Sequence, residues 1–216
     1  MKKDVFILLF FFFTGCSLSH RISEVSYIDP HEIEAGKKPH SAAVVFAENL
    51  MEHTLSSSPA IRSSSELKLE VGQCLCLNLE QAASAVYQNV AIQKDMPQPG
   101  IFDRILFFSL DYSSFMLSSP PALDSLHRQI IPRPERVTYI LSIKFQAFNG
   151  DNMELLGTKE VEANSSFLRG GKEEAEQEKL KDAVRRTVQQ VSFDVTQLLF
   201  SGFAEPKRHL IFSFGH

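Results

Sequence analysis

The chain has 216 residues, 44% hydrophobic and 22% charged, which is too apolar for wholesale disorder and enough for one globular domain with short additions. Its formal net charge of −4 leaves no basic stripe, which argues against a nucleic-acid partner.

The N-terminus reads first. Lys2 and Lys3 precede an apolar run from Val5 to Phe13. A spanning helix needs about 20 apolar residues, so this shorter run fits the core of a secretory signal instead. Gly15 and Cys16 then close it, and the chain turns polar at Ser17. The pair resembles a bacterial lipobox, at which signal peptidase II cuts and a diacylglyceryl group joins the cysteine thiol. Upstream the match is looser: Phe13 stands where Leu is usual, and Asp4 interrupts the basic end. An ordinary secretory signal and an uncleaved anchor are the alternatives. On the lipobox reading, residues 1–15 are the signal peptide and Cys16 carries the lipid. Ser17 is not the Asp of an inner-membrane retention signal, so the resemblance implies the periplasmic face of the outer membrane. Removing Lys2, Lys3 and Asp4 with the signal makes the net charge −5, which disfavours electrostatic adhesion to anionic lipid.

Residues 16–40 are polar, with Pro30, Gly36 and Pro39, and read as a lipidated start and flexible tether. A single α+β domain is expected over residues 41–216. Ser41 to Leu50 reads as its first strand, followed by a Ser-rich loop over 56–65. Leu67, Leu69 and Val71 alternate with charged residues as in a half-buried strand, which Gly72 should end. Leu75, Leu79, Ala82, Val86 and Val90 recur at helical spacing, predicting a helix from Cys74 to Val90. Pro97 to Gly100 ends that unit.

Arg104 to Leu117 reads as an aromatic strand. The prolines at 120, 121, 132 and 134 make the next connection irregular. Arg136 to Phe148 is the strongest strand: Val137, Tyr139, Leu141, Ile143, Phe145 and Ala147 share one face. Asn149-Gly150 signals a hairpin, with a return strand from Met153 to Phe167 and a bulge near Gly157. Leu180, Val184, Val188, Val191, Val195 and Leu198 mark a second helix that Gly202 stops. Leu210, Phe212 and Phe214 alternate as in a late edge strand. The order β-β-α-β-β-β-α predicts an α+β fold, a mostly antiparallel sheet with two amphipathic helices on one face and water on the other.

Chemistry is sparse. GxSxG and HExxH are missing, and no two of the seven histidines stand four apart. Cys74 and Cys76 read as small buried hydrophobes. Arg169 to Lys172, RGGK, opens a helix but lacks the phosphate-loop spacing and reads as a turn, with Glu173, Glu174 and Glu176 repelling an anion. Asp103/Arg104 and Asp111/Tyr112 could line a cleft only if the fold joins them. Phe107, Phe108, Tyr112 and Phe115 cannot all face one way on a strand; core packing and an exposed interaction patch are the two readings.

The segments VGQCLCLNLEQAASAVYQNV, TYILSIKFQAFNGDN and LKDAVRRTVQQVSFDVTQLL, with the lipobox, resemble the auxiliary lipoproteins of ABC-type envelope lipid transport and other small α+β outer-membrane lipoproteins. The likeness spans about Leu67 to Leu199 and rests on element order. It implies a non-catalytic binding or scaffold component of an envelope transport or assembly system, with no catalytic, metal or cofactor residues. Its membrane contact would be the acyl chains on Cys16, and its partners envelope proteins. An enzyme with a site built from distant residues and a self-associating structural lipoprotein are the alternatives.

Overall fold

The computed structural model describes residues 18–21, 37–56, 67–118 and 135–202. In chain order the described elements are β1 (Leu18–Arg21), β2 (Lys38–Phe46), α1 (Glu48–Met51), β3 (Thr54–Ser56), β4 (Leu67–Glu70), α2 (Val71–Val86), β5 (Tyr87–Gln93), β6 (Arg104–Ser118), β7 (Arg136–Asn149), β8 (Leu155–Leu168) and α3 (Glu173–Ser201). The main sheet has the order β5-β2-β6-β7-β8, and a small sheet has the order β1-β4-β3. The long pairings β6–β7 and β7–β8 are antiparallel, whereas β2 lies parallel to both β5 and β6. This is the expected α+β class, a mixed, mostly antiparallel sheet with helices packed on one face.

The core follows from alternation. All six apolar residues on one face of β7, Val137 to Ala147, are fully buried. They meet Leu75, Leu79 and Val86 of α2 and Leu180, Val184, Val188, Val191 and Val195 of α3 in one cluster. At its centre Phe108 stacks on Phe145, with ring centroids 4.8 Å apart and planes 10° apart. The α3 stripe holds through Val195. Beyond it Leu199 is buried and Leu198 only half-buried, because steps of 3 and 4 drift around a 3.6-residue helix. Thr187, Ser192 and Thr196 also face inward, each hydroxyl donating to the carbonyl four residues earlier.

Several expectations change. The first helix spans 71–86, so Val90 lies in a strand. A step of four residues, Val86 to Val90, suits one face of a helix and one face of a strand alike, and the aromatic and β-branched residues after Val86 favour the strand. Gly72 does not break a strand; it sits in the first turn of α2. A Cβ there would lie 2.3 Å from the Leu50 carbonyl oxygen, so glycine allows α1 to abut α2. The first N–H groups of α2, on Val71 and Gly72, donate to the His53 carbonyl at 3.1 and 2.9 Å. The first core strand begins at Lys38 and ends at Phe46, where a short helix takes over. Inside the stretch read as a tether, Leu18–Arg21 pairs in register with β4, so one residue, Ser17, separates Cys16 from a strand. Cys16 itself, the Ser-rich loop beyond Ser56, the proline-rich connection and the expected strand at 210–214 lie outside the described residues.

The turn after β7 is a hairpin, but not a two-residue one. Met153 takes the positive φ of 58°, its N–H donates to the Asn149 carbonyl at 2.9 Å, and the Asn149 N–H donates to the Glu154 carbonyl at 2.8 Å. The bulge falls where expected: Ala147 pairs with Gly157 and Phe148 with Leu155, leaving Leu156 over.

The outer face of the sheet is not uniformly wet. β5 and β6 both run parallel to β2, so residues 94–103 must travel back along the sheet before β6 begins. The helices occupy the inner face. On the outer face Phe102, Phe107, Phe148 and Met153 pack against buried Ala43, Val45 and Ile105.

Candidate functional site

The polar group best placed for chemistry lies where β6 outruns β2. Ser113 Oγ stands 2.8 Å from His53 Nε2, beside the buried ring of Tyr139. Serine beside histidine is where nucleophilic catalysis starts, but a third group must orient the base. Among the described residues no carboxylate bonds to the His53 ring. Burial lowers the His53 pKa, which favours the neutral imidazole at pH 7 and costs stability as pH falls below the usual histidine range. Burial also raises the Tyr139 phenol, with the Ser113 hydroxyl opposing weakly. Among the described residues the Tyr139 oxygen has no partner of good geometry. These features describe a packed polar seam between α1 and the sheet.

The other sequence candidates resolve separately. Cys74 and Cys76 lie in α2, the first buried and the second half-buried. Burial pushes Cys76 up to about 12, so its thiolate fraction at pH 8 is on the order of 10⁻⁴. Neither native thiol should be alkylated within minutes at pH 8, while both should react fully in denaturant; peptide mapping that finds Cys76 modified in the folded protein would refute this. In the RGGK turn Gly170 and Gly171 take φ of 137° and 119°, and the Gly170 N–H donates to the Glu176 carboxylate at 2.8 Å. The chain's own carboxylate fills the position an anion would take. Asp103 does not form a cleft with Asp111. It bonds to β2 at Ser41, beside the register shift that follows Lys38, accepting from the Ser41 N–H at 2.6 Å and the Ser41 hydroxyl at 2.8 Å, bonds that hold its carboxyl below the usual range. Of the four β6 rings, Phe108 is in the core, Phe107 joins the outer cluster, and Phe115 packs on Tyr139 at 5.2 Å. Only Tyr112, 42% exposed, faces water.

What stays open is the edge formed by β8. This strand is 14 residues long and has β7 as its one strand neighbour among the described residues. Beside it α3 leaves a groove of about 490 Å³ lined by Glu160, Val161 and Glu162 of the strand and by Asp194, Gln197 and Leu198 of the helix. Register places Glu160 and Glu162 on the outer face, opposite Lys144 and Ser142 of β7. Glu162 accepts from the Tyr112 hydroxyl, a bond that raises the phenol's pKa with help from burial and the nearby carboxylates. Asp194 accepts from Gln190 Nε2 at 2.9 Å. For Glu160 no hydrogen bond or ion pair is found among the described residues. The site is therefore acidic, elongated and bordered by a strand edge that no other described strand covers.

No protein-family model matches the chain, and no curated protein does. Solved structures do resemble it. A Xanthomonas campestris protein of the family DUF330 superposes with a TM-score of 0.52 at 11% identity, covering 86% of this chain and 97% of its own. A minor lipoprotein from Acinetobacter baumannii gives 0.43 at 9% identity over 77% and 94%. The rare lipoprotein B from Shewanella oneidensis gives 0.44 at 12% over 74% and 94%. The first likeness shows a shared fold at low sequence identity. No helix among the described residues is long and apolar enough to cross a membrane.

The one residue singled out from sequence for function, Cys16, lies outside the described residues, two positions before β1. Sequence reading passed over the β8 edge. Lys159, Glu160 and Glu162 are legible as charges on a strand without proline, but that this strand ends the sheet is a tertiary fact.

Proposed function

We propose that this protein is a lipid-anchored, non-catalytic binding or scaffold component of a bacterial envelope transport or assembly system, acylated at Cys16 and held at the periplasmic face of the outer membrane. The observation that carries the reading is Gly15-Cys16 behind a basic start and a short apolar run. Each acyl chain buries many methylenes at about 0.8 kcal/mol apiece, and two or more chains anchor durably where one does not. The fold supports the reading by what it offers: a packed core and an open acidic edge. β8 is an edge strand of the main sheet, whereas β1, which begins two residues after Cys16, pairs with β4 in the small sheet.

Replacing Cys16 by Ala in cells given labelled fatty acid tests it. The wild type should carry label and sediment with membranes. The variant should carry none and remain in the soluble fraction or keep its uncleaved leader. Equal labelling and equal fractionation of the two would end the proposal.

A further inference from the structure

We infer that the free edge of β8 docks an extended segment of a partner protein that carries basic residues at alternating positions flanking an apolar one. The inference deepens the binding role proposed above, since it names the chemistry of the partner.

An unpaired strand presents a row of N–H and C=O groups to any chain that can extend beside it. Proteins blunt such edges with short strands, proline, bulges or lysine. The opposite edge, β5, has seven residues. β8 is twice as long, has no proline, and is protected at its beginning by the Leu156 bulge and Lys159. From Glu160 to Phe167 no described strand covers its outer edge, and at its end Lys179 Nζ donates to the Leu168 carbonyl at 3.4 Å. Adding a strand there satisfies main-chain groups, and pockets for alternate side chains set the specificity. A residue turned toward the helix side enters the groove between Val161 and Leu198, which are apolar. Its two neighbours turn outward beside Glu160 and Glu162. Lysine or arginine complements those carboxylates, and Asp194 at the groove wall adds to the same field. Acidic partners are repelled.

Two other occupants fit poorly. A second copy pairing antiparallel about Val161 would set Glu160 opposite the copy's Glu162, and like charges directly opposed destabilise a sheet. A strand supplied by this chain after α3 would join β8 in parallel. β8 has the direction of β2, and α2 and α3 cover the same face. The crossover from β2 through α2 to β5 moves toward one end of the sheet, whereas a crossover from β8 through α3 to the free edge moves toward the other. Their hands are opposite, so both cannot be right-handed, and about 98% of such crossovers are.

The test uses the full chain in detergent micelles and a short capped peptide alternating lysine with valine. Hydrogen exchange should show the outward amides of residues 158–168 exchanging fast without peptide and slowly with it. The Glu160→Gln/Glu162→Gln variant, whose fold is checked by circular dichroism, should bind at least about tenfold more weakly, equal to about 1.4 kcal/mol. A peptide N-methylated on its edge-facing amides should not protect β8. Protection without any peptide would overturn the inference, with light scattering telling a second copy from an internal strand. Equal binding by the N-methylated peptide or by the Gln variant would also overturn it, as would no binding. Fatty-acid labelling at Cys16 is independent of each result, so failure here leaves the anchor untouched.

Discussion

Replacing Gly150 by Ala should cost about 3 kcal/mol or more, among the largest effects of any single methyl group in this protein. The reason is a collision between backbones. A Cβ at Gly150 would stand 1.5 Å from the Phe102 carbonyl oxygen and 2.6 Å from its carbon. No rotamer relieves that contact, because neither atom belongs to a side chain. Two hydrogen bonds pin the partners together: the Gly150 N–H donates to the Asp103 carbonyl at 3.1 Å, and the Gly100 N–H donates to the Gly150 carbonyl at 2.8 Å. Relief requires breaking both and lifting Phe102 from the outer cluster around Ile105. Gly100→Ala is the control. Its φ of 83° strains any L-residue, yet nothing lies within 4 Å of the added carbon, so the cost there should be about 1 kcal/mol. Urea denaturation of both variants measures the contrast. If Gly150→Ala is no worse than Gly100→Ala, the hairpin turn does not seat against residues 102–103.

That glycine shows how far the sequence could be read. Asn149-Gly150 correctly marked a hairpin, but the usual cause, two positive φ angles in a tight turn, is not the cause here. Met153 takes the positive φ, and Gly150 is small because a distant loop touches it. The strong alternation of β7 and the stripe of α3 were legible because burial on one face imposes a period that no other element can share. The end of α2 was not, since Val86 and Val90 satisfy two periods at once. Neither was β5, whose half-exposed residues carry little pattern, nor β1, whose partner β4 lies far along the chain. The candidate edge was illegible for the same reason. Nothing local in Glu160-Val161-Glu162 says that β8 ends the sheet. Cys16 is the reverse case: a covalent signal read by an enzyme is local by nature.

Phe108→Ala and Phe107→Ala should differ by about 2 kcal/mol although the residues are adjacent. Phe108 is fully buried on the central strand β6, stacked on Phe145 and 5.9 Å from the Phe46 ring. Removing it deletes a ring from the main core between the sheet and the helices, and a Phe→Ala change at such a site costs about 3–5 kcal/mol. Phe107 points the other way, half-buried among Phe102, Phe148 and Met153. Its loss forfeits part of a side chain's transfer energy, about 1–2 kcal/mol, from a cluster that can close over the gap. Phe108→Leu should fall between, because most of the volume is kept. Denaturant midpoints with unchanged slopes would support the ranking. The opposite ranking would mean that β6 is paired one residue out of register, since a one-residue slip exchanges the two faces of a strand. Such a slip would also turn Tyr112 inward and separate its hydroxyl from Glu162, so the same pair of variants tests the outer surface on which the β8 edge depends.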